Sequence, residues 1–170
     1  MGERPAAAAI TTALSAVIDA PLTQVWRAIS EPAERLRWDP CIEALIAPAE
    51  GFPAVGTEAR WRYRLRGFPV VLRDWPLEVR PGQLLRSDVA LGLFRFEQTW
   101  SLRPAQTSGR TRFGLHLATA NSVAVVGGIV DRFGVRRLTA RYADEKLCAL
   151  RSWCERPASA PSPPPIRASR

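Results

Sequence analysis

One segment near the start of the chain, from Leu14 to Ile46, restricts the possible folds more than any other. It opens with alternating apolar and polar residues that stop at Asp19-Ala20-Pro21, and it closes with a second apolar segment after Trp38-Asp39-Pro40. The residues between these points change to the three- and four-residue spacing of amphipathic helices. The segment therefore predicts two short helices between the first two strands of a sheet, and that sheet must curl.

Apolar positions define the buried faces expected for the two helices. In the first helix, Val25 and Ile29 are one turn apart and fall on one face. The second helix follows Ser30-Glu31-Pro32, where proline suits a first helical turn. Its expected buried residues are Leu36 and Trp38.

Composition indicates one domain with a tail. Of the 170 residues, 46% are hydrophobic, which is enough to bury a single sizeable core. Residues 157–170 are almost entirely Pro, Ala, Ser and Arg and predict a disordered tail. Residues 1–9 predict a flexible N-terminus, so the folded unit should span residues 10–156. No apolar run approaches the roughly 18 residues of a membrane span, and the start of the chain lacks a secretion signal. The sequence thus favours a cytoplasmic protein.

Cysteine and charge content limit the chemistry. The three cysteines, Cys41, Cys148 and Cys154, cannot all pair with each other, and none lies in a CxxC or Cys/His cluster. We therefore expect reduced thiols, no bound metal and no cofactor. The formal net charge is +8, nearly all of the positive charge is arginine, and Lys146 is the only lysine. A basic surface favours acidic partners or anionic membranes.

The middle of the chain has the pattern of strands joined by tight turns. Its clearest strand alternates Trp61, Tyr63 and Leu65 with arginines, which puts the rings on one face and the guanidinium groups on the other. Further strands follow as far as about Thr119. Pro76 predicts a bulge or an edge position in one of them, because proline cannot donate to the ladder.

The last part of the folded unit has a helical pattern. From about Ser122 to Glu155, apolar residues recur at spacings of three, four and seven, which indicates one long helix. The predicted fold class is α+β: a curved, seven-stranded antiparallel sheet, two short helices between strands 1 and 2, and a long C-terminal helix over one face. A bent sheet and a straight helix cannot touch along their whole length, so we expect a hydrophobic cavity between them.

The order of these elements resembles a known superfamily. Four parts of the N-terminal segment are similar to the N-terminal signature of the START-like superfamily, also called SRPBCC, and especially of its polyketide cyclase/dehydrase-like branch. They are the strand end at Ile18-Asp19-Ala20-Pro21, the helix with Val25-Trp26, the break at Ser30-Glu31-Pro32 and the segment Trp38-Asp39-Pro40. The resemblance implies a helix-grip fold whose deep cavity holds a hydrophobic or aromatic small molecule. It implies no activity, because carriers and enzymes share the fold without shared catalytic residues.

Aromatic residues on the inner face are the best candidates for ligand contacts. Rings offer a large apolar contact area, and Tyr63 and Gln98 can add oriented hydrogen bonds. The alternative is that the rings only fill the core. The predicted ligand-binding residues are Trp61, Tyr63, Trp75, Phe94, Phe96, Gln98, Trp100, Phe113, Ile129 and Phe133.

Four side chains are candidates for acid or base chemistry: Asp88, Asp74, His116 and Tyr63. His116 is the only histidine, so a two-histidine metal site is impossible, and strand parity turns it to the outer face. The two aspartates are more readily explained as arginine partners on the outer face than as groups in the cavity. Two or more of the four in one cavity would favour an enzyme, whereas Tyr63 and Gln98 alone would favour a carrier.

Two functions therefore stay open. The first is a carrier or binding protein for a lipid, quinone or polyketide-like molecule, which the lack of a recognisable acid–base constellation favours. The second is a cyclase or dehydratase acting on an aromatic or polyketide substrate, which needs a polar group with a shifted pKa in the pocket. In both cases the partner is a hydrophobic small molecule.

Other partners are less well supported by the sequence. We expect no nucleic-acid binding, because strand alternation separates the arginines from the rings that would stack on bases. Residues 123–130 are apolar and precede a basic segment, a pattern that is compatible with transient contact with an anionic membrane surface. The protein is expected to be a monomer or a homodimer.

Overall fold

A computed structural model of the chain describes residues 10–46, 50–92, 94–119, 124–125, 128–129 and 132–156, and for 124–125, 128–129 and 132–133 it describes the backbone alone. The predicted N-terminal segment and C-terminal tail lie outside these residues. The elements are β1 Ile10–Ile18, α1 Leu22–Ser30, α2 Pro32–Trp38, β2 Ile42–Leu45, β3 Ala59–Leu65, β4 Phe68–Arg80, β5 Leu84–Leu91, β6 Phe94–Pro104, β7 Thr111–Thr119, β8 Ala124–Val125, β9 Gly128–Ile129 and α3 Arg132–Cys154.

Seven strands form one antiparallel sheet in the order β1-β7-β6-β5-β4-β3-β2. The strand β1 pairs with β7 along its whole length, from Ile10 opposite Thr119 to Ile18 opposite Thr111. The strands β1 and β2, which α1 and α2 connect, therefore occupy opposite edges of the sheet. The structure confirms the predicted α+β helix-grip fold, with a curved seven-stranded sheet and a long C-terminal helix.

Two local features shape the strand β4. The turn before it consists of Arg66 and Gly67, whose φ angles of 51° and 89° lie in the left-handed region. Two successive left-handed residues match the twist of a two-residue hairpin. Further along, the pairing of β4 with β5 shifts register between Pro76 and Glu78. This shift confirms the predicted bulge at Pro76.

Strand alternation decides which side chains reach the core. In β3, Trp61 and Tyr63 are buried and the intervening arginines are exposed, as predicted. Trp100 of β6 and Phe113 of β7 are fully buried next to each other, with ring centres 5.5 Å apart. The inner face of the sheet is therefore a continuous layer of large side chains.

Helix α3 lies over this inner face and packs chiefly on β1. Thr139 Oγ1 lies 3.0 Å from Thr12 Oγ1, and Ala143 is fully buried one turn later. At the end of the helix, Gln24 Nε2 of α1 donates to the carbonyl oxygen of Cys154 at 2.9 Å. Helix α3 is therefore joined to the sheet near its middle and to the first helix at its C-terminal end.

The long helix begins later than its sequence pattern predicted. It starts at Arg132 and not near Ser122, and β8 and β9 pair as a short antiparallel hairpin before it. The sequence from 123 to 130 contains four valines and two adjacent glycines, and both residue types disfavour helix through lost conformational entropy. Among the described helices, none is both long enough and apolar enough to cross a membrane.

Candidate functional site

A cleft of about 540 Å³ lies between the end of β3 and the N-terminal half of α3. Residues 63–67 form one wall, and α3 residues between 134 and 145 form the opposite wall. Pro40 and Cys41, which connect α2 to β2, complete the described lining. The volume is typical of sites that bind small molecules.

Helix α3 contributes one stripe of side chains to the cleft. The stripe contains Leu138 and Tyr142 together with Arg137, Arg141 and Glu145. These residues are three or four positions apart and therefore share a helix face. Tyr142 is also buried, so it borders both the cleft and the core.

Two buried tyrosines form the inner end of the cleft. The ring centres of Tyr63 and Tyr142 are 6.5 Å apart, and the Tyr142 hydroxyl donates to Gln98 Oε1 at 3.2 Å. Burial raises the pKa of both phenols above the ordinary value of 10.0. Both hydroxyls therefore stay protonated at neutral pH and can donate hydrogen bonds.

A buried ion pair lies behind the tyrosines. Lys146 Nζ donates to Asp39 Oδ2, and each side chain is only 4% exposed. The ammonium nitrogen lies 4.6 Å from the ring centre of Tyr63 and 5.0 Å from that of Tyr142, close enough for cation–π attraction. Burial lowers the pKa of Lys146, and the negative charge of Asp39 opposes that effect. The pair joins α3 to the C-terminal end of α2.

A second buried ion pair lies deeper in the core. Arg35 Nη1 of α2 donates to Asp74 Oδ2 of β4 at 2.7 Å. The guanidinium carbon lies 5.0 Å from the ring centre of Trp61 and 5.6 Å from that of Trp100. The indole rings therefore enclose the charge that Asp74 neutralises.

The sequence patterns missed both buried cations. They predicted Leu36 as a buried residue of α2, whereas Leu36 is 38% exposed and Arg35 only 4%. Trp38 is buried as predicted, and Arg35 lies three residues before it on the same helix face. For Lys146, the available signal was its position four residues before the buried Leu150 in the long helix.

The interior also contains polar atoms that have no hydrogen-bond partner among the described residues. Their side chains are at most 1% exposed and lie on the adjacent strands β3 to β6. Donors predominate, and a buried polar group without a partner costs roughly 1–3 kcal/mol. The atoms are Trp61 Nε1, Asp74 Oδ1, Ser87 Oγ, Gln98 Nε2 and Trp100 Nε1.

A family of known proteins shares this architecture. The family model described as polyketide cyclase/dehydrase and lipid transport matches residues 9–155. The chain belongs to this family. The match confirms the START-like resemblance of the N-terminal segment. No curated protein sequence matches the chain significantly.

Several solved structures share the fold of this polyketide cyclase/dehydrase and lipid transport family member, although their sequences are only distantly similar to it. A START superfamily protein from Mycobacterium smegmatis is 15% identical, with a TM-score of 0.70 over 85% of this chain and 97% of that one. The Zhui aromatase/cyclase from Streptomyces sp. R1128 is 13% identical, with a TM-score of 0.70 over 91% and 100%. A protein from Thermus thermophilus is 22% identical, with a TM-score of 0.61 over 84% and 94%. Identities this low establish the shared fold alone.

Three of the predicted ligand-binding residues lie at or near the cleft of this START-like domain. Tyr63 lines the cleft itself. Phe94 and Phe96 border a much smaller internal void of about 10 Å³, whose lining shares Leu65, Leu138 and Tyr142 with the cleft. The ring centres of Phe96 and Tyr142 are 5.4 Å apart. The two phenylalanines therefore lie just inside the cleft, behind Tyr142.

Four other predicted residues lie in the core. They are buried on the inner face, and none of them belongs to the described lining of the cleft. The four residues are Trp61, Gln98, Trp100 and Phe113. Here the structure favours the alternative that the rings fill the core. The polar ends of Gln98 and of the two tryptophans are nevertheless among the atoms without partners.

The predicted position of Trp75 on the inner face is wrong. In β4 the buried residues are Leu72, Asp74 and Pro76, so Trp75 lies on the outer face, where the Arg95 guanidinium is 5.6 Å from its ring centre. The outward residues of β4 include the apolar Val71, which is why hydrophobicity assigned the wrong face. The side chains of Ile129 and Phe133 lie outside the described residues.

The four acid–base candidates do not converge. Asp88 forms an ion pair with Arg95 on the outer face, and His116 is exposed there opposite Ala13. Asp74 is paired with an arginine as predicted, but inside the core and not on the outer face. Of the four, Tyr63 alone lines the cleft. The described residues contain no group of three or more His, Cys, Asp and Glu side chains that could hold a metal ion.

Proposed function

We propose that this chain binds a hydrophobic or aromatic small molecule, such as a lipid, quinone or polyketide-like compound, and acts as its carrier or binding protein. The cleft of about 540 Å³ supports this function, because it combines the apolar Leu65 and Leu138 with two tyrosines. Mostly apolar walls with a few oriented polar groups are typical of small-molecule sites. The family description, which includes lipid transport, points the same way.

The position of the titratable groups supports a carrier over an enzyme. A general base must reach the proton that it removes, and it must be unprotonated at the working pH. Tyr63 reaches the cleft, but its raised pKa keeps the phenol protonated. Glu145 is the carboxylate in the described lining, and it lies 3.4 Å from Arg141 in an ion pair. A cleft with this lining is better suited to holding a molecule than to removing a proton from it.

The alternative function is a cyclase or dehydratase that uses the same cleft. It is supported by the ammonium of Lys146 next to the Tyr63 ring, since a positive charge nearby favours release of a phenolic proton. The fold shared with an aromatase/cyclase is consistent with such chemistry. A carrier would release its ligand unchanged, whereas an enzyme of this kind would convert it.

Native mass spectrometry of the protein purified from its own host tests the proposed function. We expect a bound hydrophobic compound that leaves unchanged on denaturation. The Leu138→Trp substitution places an indole in the cleft and should abolish the bound mass. Leu77→Trp makes the same change on the outer face, at a residue that is 44% exposed, and should retain it. A bound mass that persists equally in both folded variants would place the ligand elsewhere and contradict the proposal.

A further inference from the structure

The charged residues of the cleft indicate the chemistry of one end of its ligand. Four arginines line the cleft, and Glu145 is the one acidic residue in its described lining. All four arginines are exposed, whereas Leu65 and Leu138 are partly buried. The positive charge therefore lies at the mouth and the apolar surface lies further in. The arginines are Arg64, Arg66, Arg137 and Arg141.

Two of these arginines have protein partners and two do not. Arg64 pairs with Glu43, and Arg141 pairs with Glu145. Within the described part of the chain, Arg66 and Arg137 have neither a hydrogen bond nor an ion pair to a carboxylate. They lie on opposite walls of the cleft, one in the hairpin turn and the other on α3. The mouth therefore presents two unneutralised guanidinium groups from two different elements.

The backbone conformation of Arg66 and the charge spacing of Arg137 are each locally unfavourable. Arg66 has a left-handed φ of 51° in a turn where glycine or asparagine is the usual choice. Arg137 lies one helical turn before Arg141, and like charges at this spacing destabilise a helix. A bound anion would offset the repulsion on α3 and would give Arg66 a partner.

We infer that the cleft binds an amphipathic anion, whose apolar body lies between Leu65 and Leu138 and whose carboxylate or phosphate group is held by Arg66 and Arg137. The inference rests on the proposed function and specifies its ligand class. Arginine suits this role because its planar N–H donors match two oxygens of a carboxylate or phosphate at once. A neutral hydrophobic ligand would use the walls of the cleft but not its mouth.

A pair of fluorescent probes tests the role of the charge. Dansyl-undecanoic acid and its methyl ester have the same apolar body and differ in one negative charge. At concentrations where both are monomeric, we expect the wild-type protein to bind the acid about tenfold more tightly than the ester, as for one charge-assisted hydrogen-bonded contact. The preference should shrink as salt is raised, because the arginines are exposed.

Matched variants locate the charge effect. Arg66→Gln and Arg137→Gln should each weaken binding of the acid by about threefold, so that the two together account for the tenfold preference, and should leave binding of the ester unchanged. Arg62→Gln removes an exposed arginine of β3, the strand that precedes the turn containing Arg66, and Arg136→Gln removes an exposed arginine of α3; neither residue belongs to the described cleft lining. These two control variants should bind both probes like the wild type.

Each contrary result has a distinct meaning. Equal binding of acid and ester by the wild type would overturn the inference and leave the proposed function standing. Equal losses in the cleft variants and the control variants would also overturn it, because a diffuse basic surface would explain the preference. Binding to phosphatidylglycerol vesicles without binding of the monomeric acid would replace it with membrane contact. Binding of neither probe would overturn the inference and the proposed function together.

Discussion

Arg35 Nη1 lies 2.7 Å from Asp74 Oδ2, so that α2 reaches through the core to the fourth strand. The two side chains are 5% and 1% exposed. Removing charges from water is costly, and the cost is recovered only while each charge keeps its partner. The stability of the core around Trp61 and Trp100 therefore depends on the intact pair.

Breaking this pair should destabilise the protein strongly. The Asp74→Ala variant leaves the Arg35 charge buried without a partner, and we expect the free energy of unfolding to fall by about 3–5 kcal/mol. Urea unfolding followed by tryptophan fluorescence measures the change. Asp88→Ala is the matched control, because it removes a carboxylate paired with Arg95 on the outer face and should cost far less. If the free energy of unfolding fell by a similar amount in the two variants, the conclusion that Asp74 is buried and Asp88 lies on the outer face would be contradicted.

Cys154 should make stability decrease at alkaline pH. Burial raises the pKa of its thiol from 9.0 to about 12. Above pH 9.0 the unfolded chain releases this proton and the folded chain retains it, so the contribution is complete below pH 9.0 and is lost between pH 9.0 and about 12. Urea titrations across this pH range should show a smaller decrease in the free energy of unfolding for Cys154→Val than for the wild type. Cys148→Val changes an exposed thiol of the same helix. The free energy of unfolding of this control variant should fall with pH as steeply as that of the wild type.

Cys41 should report on occupancy of the cleft. Its side chain is partly buried and lines the cleft, whereas Cys148 is exposed and Cys154 is buried. In a Cys148→Ser variant, a thiol reagent should therefore modify Cys41 first. Saturating dansyl-undecanoic acid should slow that modification several-fold, as followed by the absorbance of the released thiolate. An unchanged rate at saturation would mean that the probe binds away from Cys41.

Two buried hydroxyls allow a test of the unpaired polar atoms. Ser87 Oγ has no partner among the described residues, whereas Thr111 Oγ1 donates to the Ala20 carbonyl oxygen at 2.8 Å. Thr111→Val should lower the free energy of unfolding by about 1 kcal/mol, and Ser87→Ala should leave it unchanged or slightly higher. Thermal and urea unfolding measure both. If Ser87→Ala lowered the free energy of unfolding more than Thr111→Val does, the Ser87 hydroxyl would have to bind water or a ligand in solution.

The fold could be predicted from the sequence because its main signals are local. Trp61 and Tyr63 alternate with arginines, and that alternation alone fixes which face of β3 is buried. The two short helices after Pro21 follow from spacing and proline placement in the same way. Cytoplasmic location, the monomeric or dimeric state and transient membrane contact stay predictions.

The candidate site could be predicted only in part, because its decisive contacts join distant parts of the chain. In β4 the inward residue is the charged Asp74 and the outward residue is the apolar Trp75, the reverse of what hydrophobicity indicates. Asp74 is stable inside only because Arg35, 39 residues earlier, meets it there. Lys146 and Asp39 are 107 residues apart. No local pattern reveals that such residues will neutralise each other.

The seven-residue helix α2 is joined through buried charges to both layers of the protein. Arg35 binds it to the sheet at Asp74, and Asp39, just after it, binds it to the long helix at Lys146. The long helix therefore cannot swing away as a rigid body without separating the buried charges of Asp39 and Lys146. The part of α3 that precedes Lys146 borders the cleft, and hydrogen bonds between Thr139 and Thr12 and from Tyr142 to Gln98 connect it to the sheet. Separating the start of the helix from the sheet would therefore break neutral hydrogen bonds, whereas separating the helix at Lys146 would break a buried ion pair.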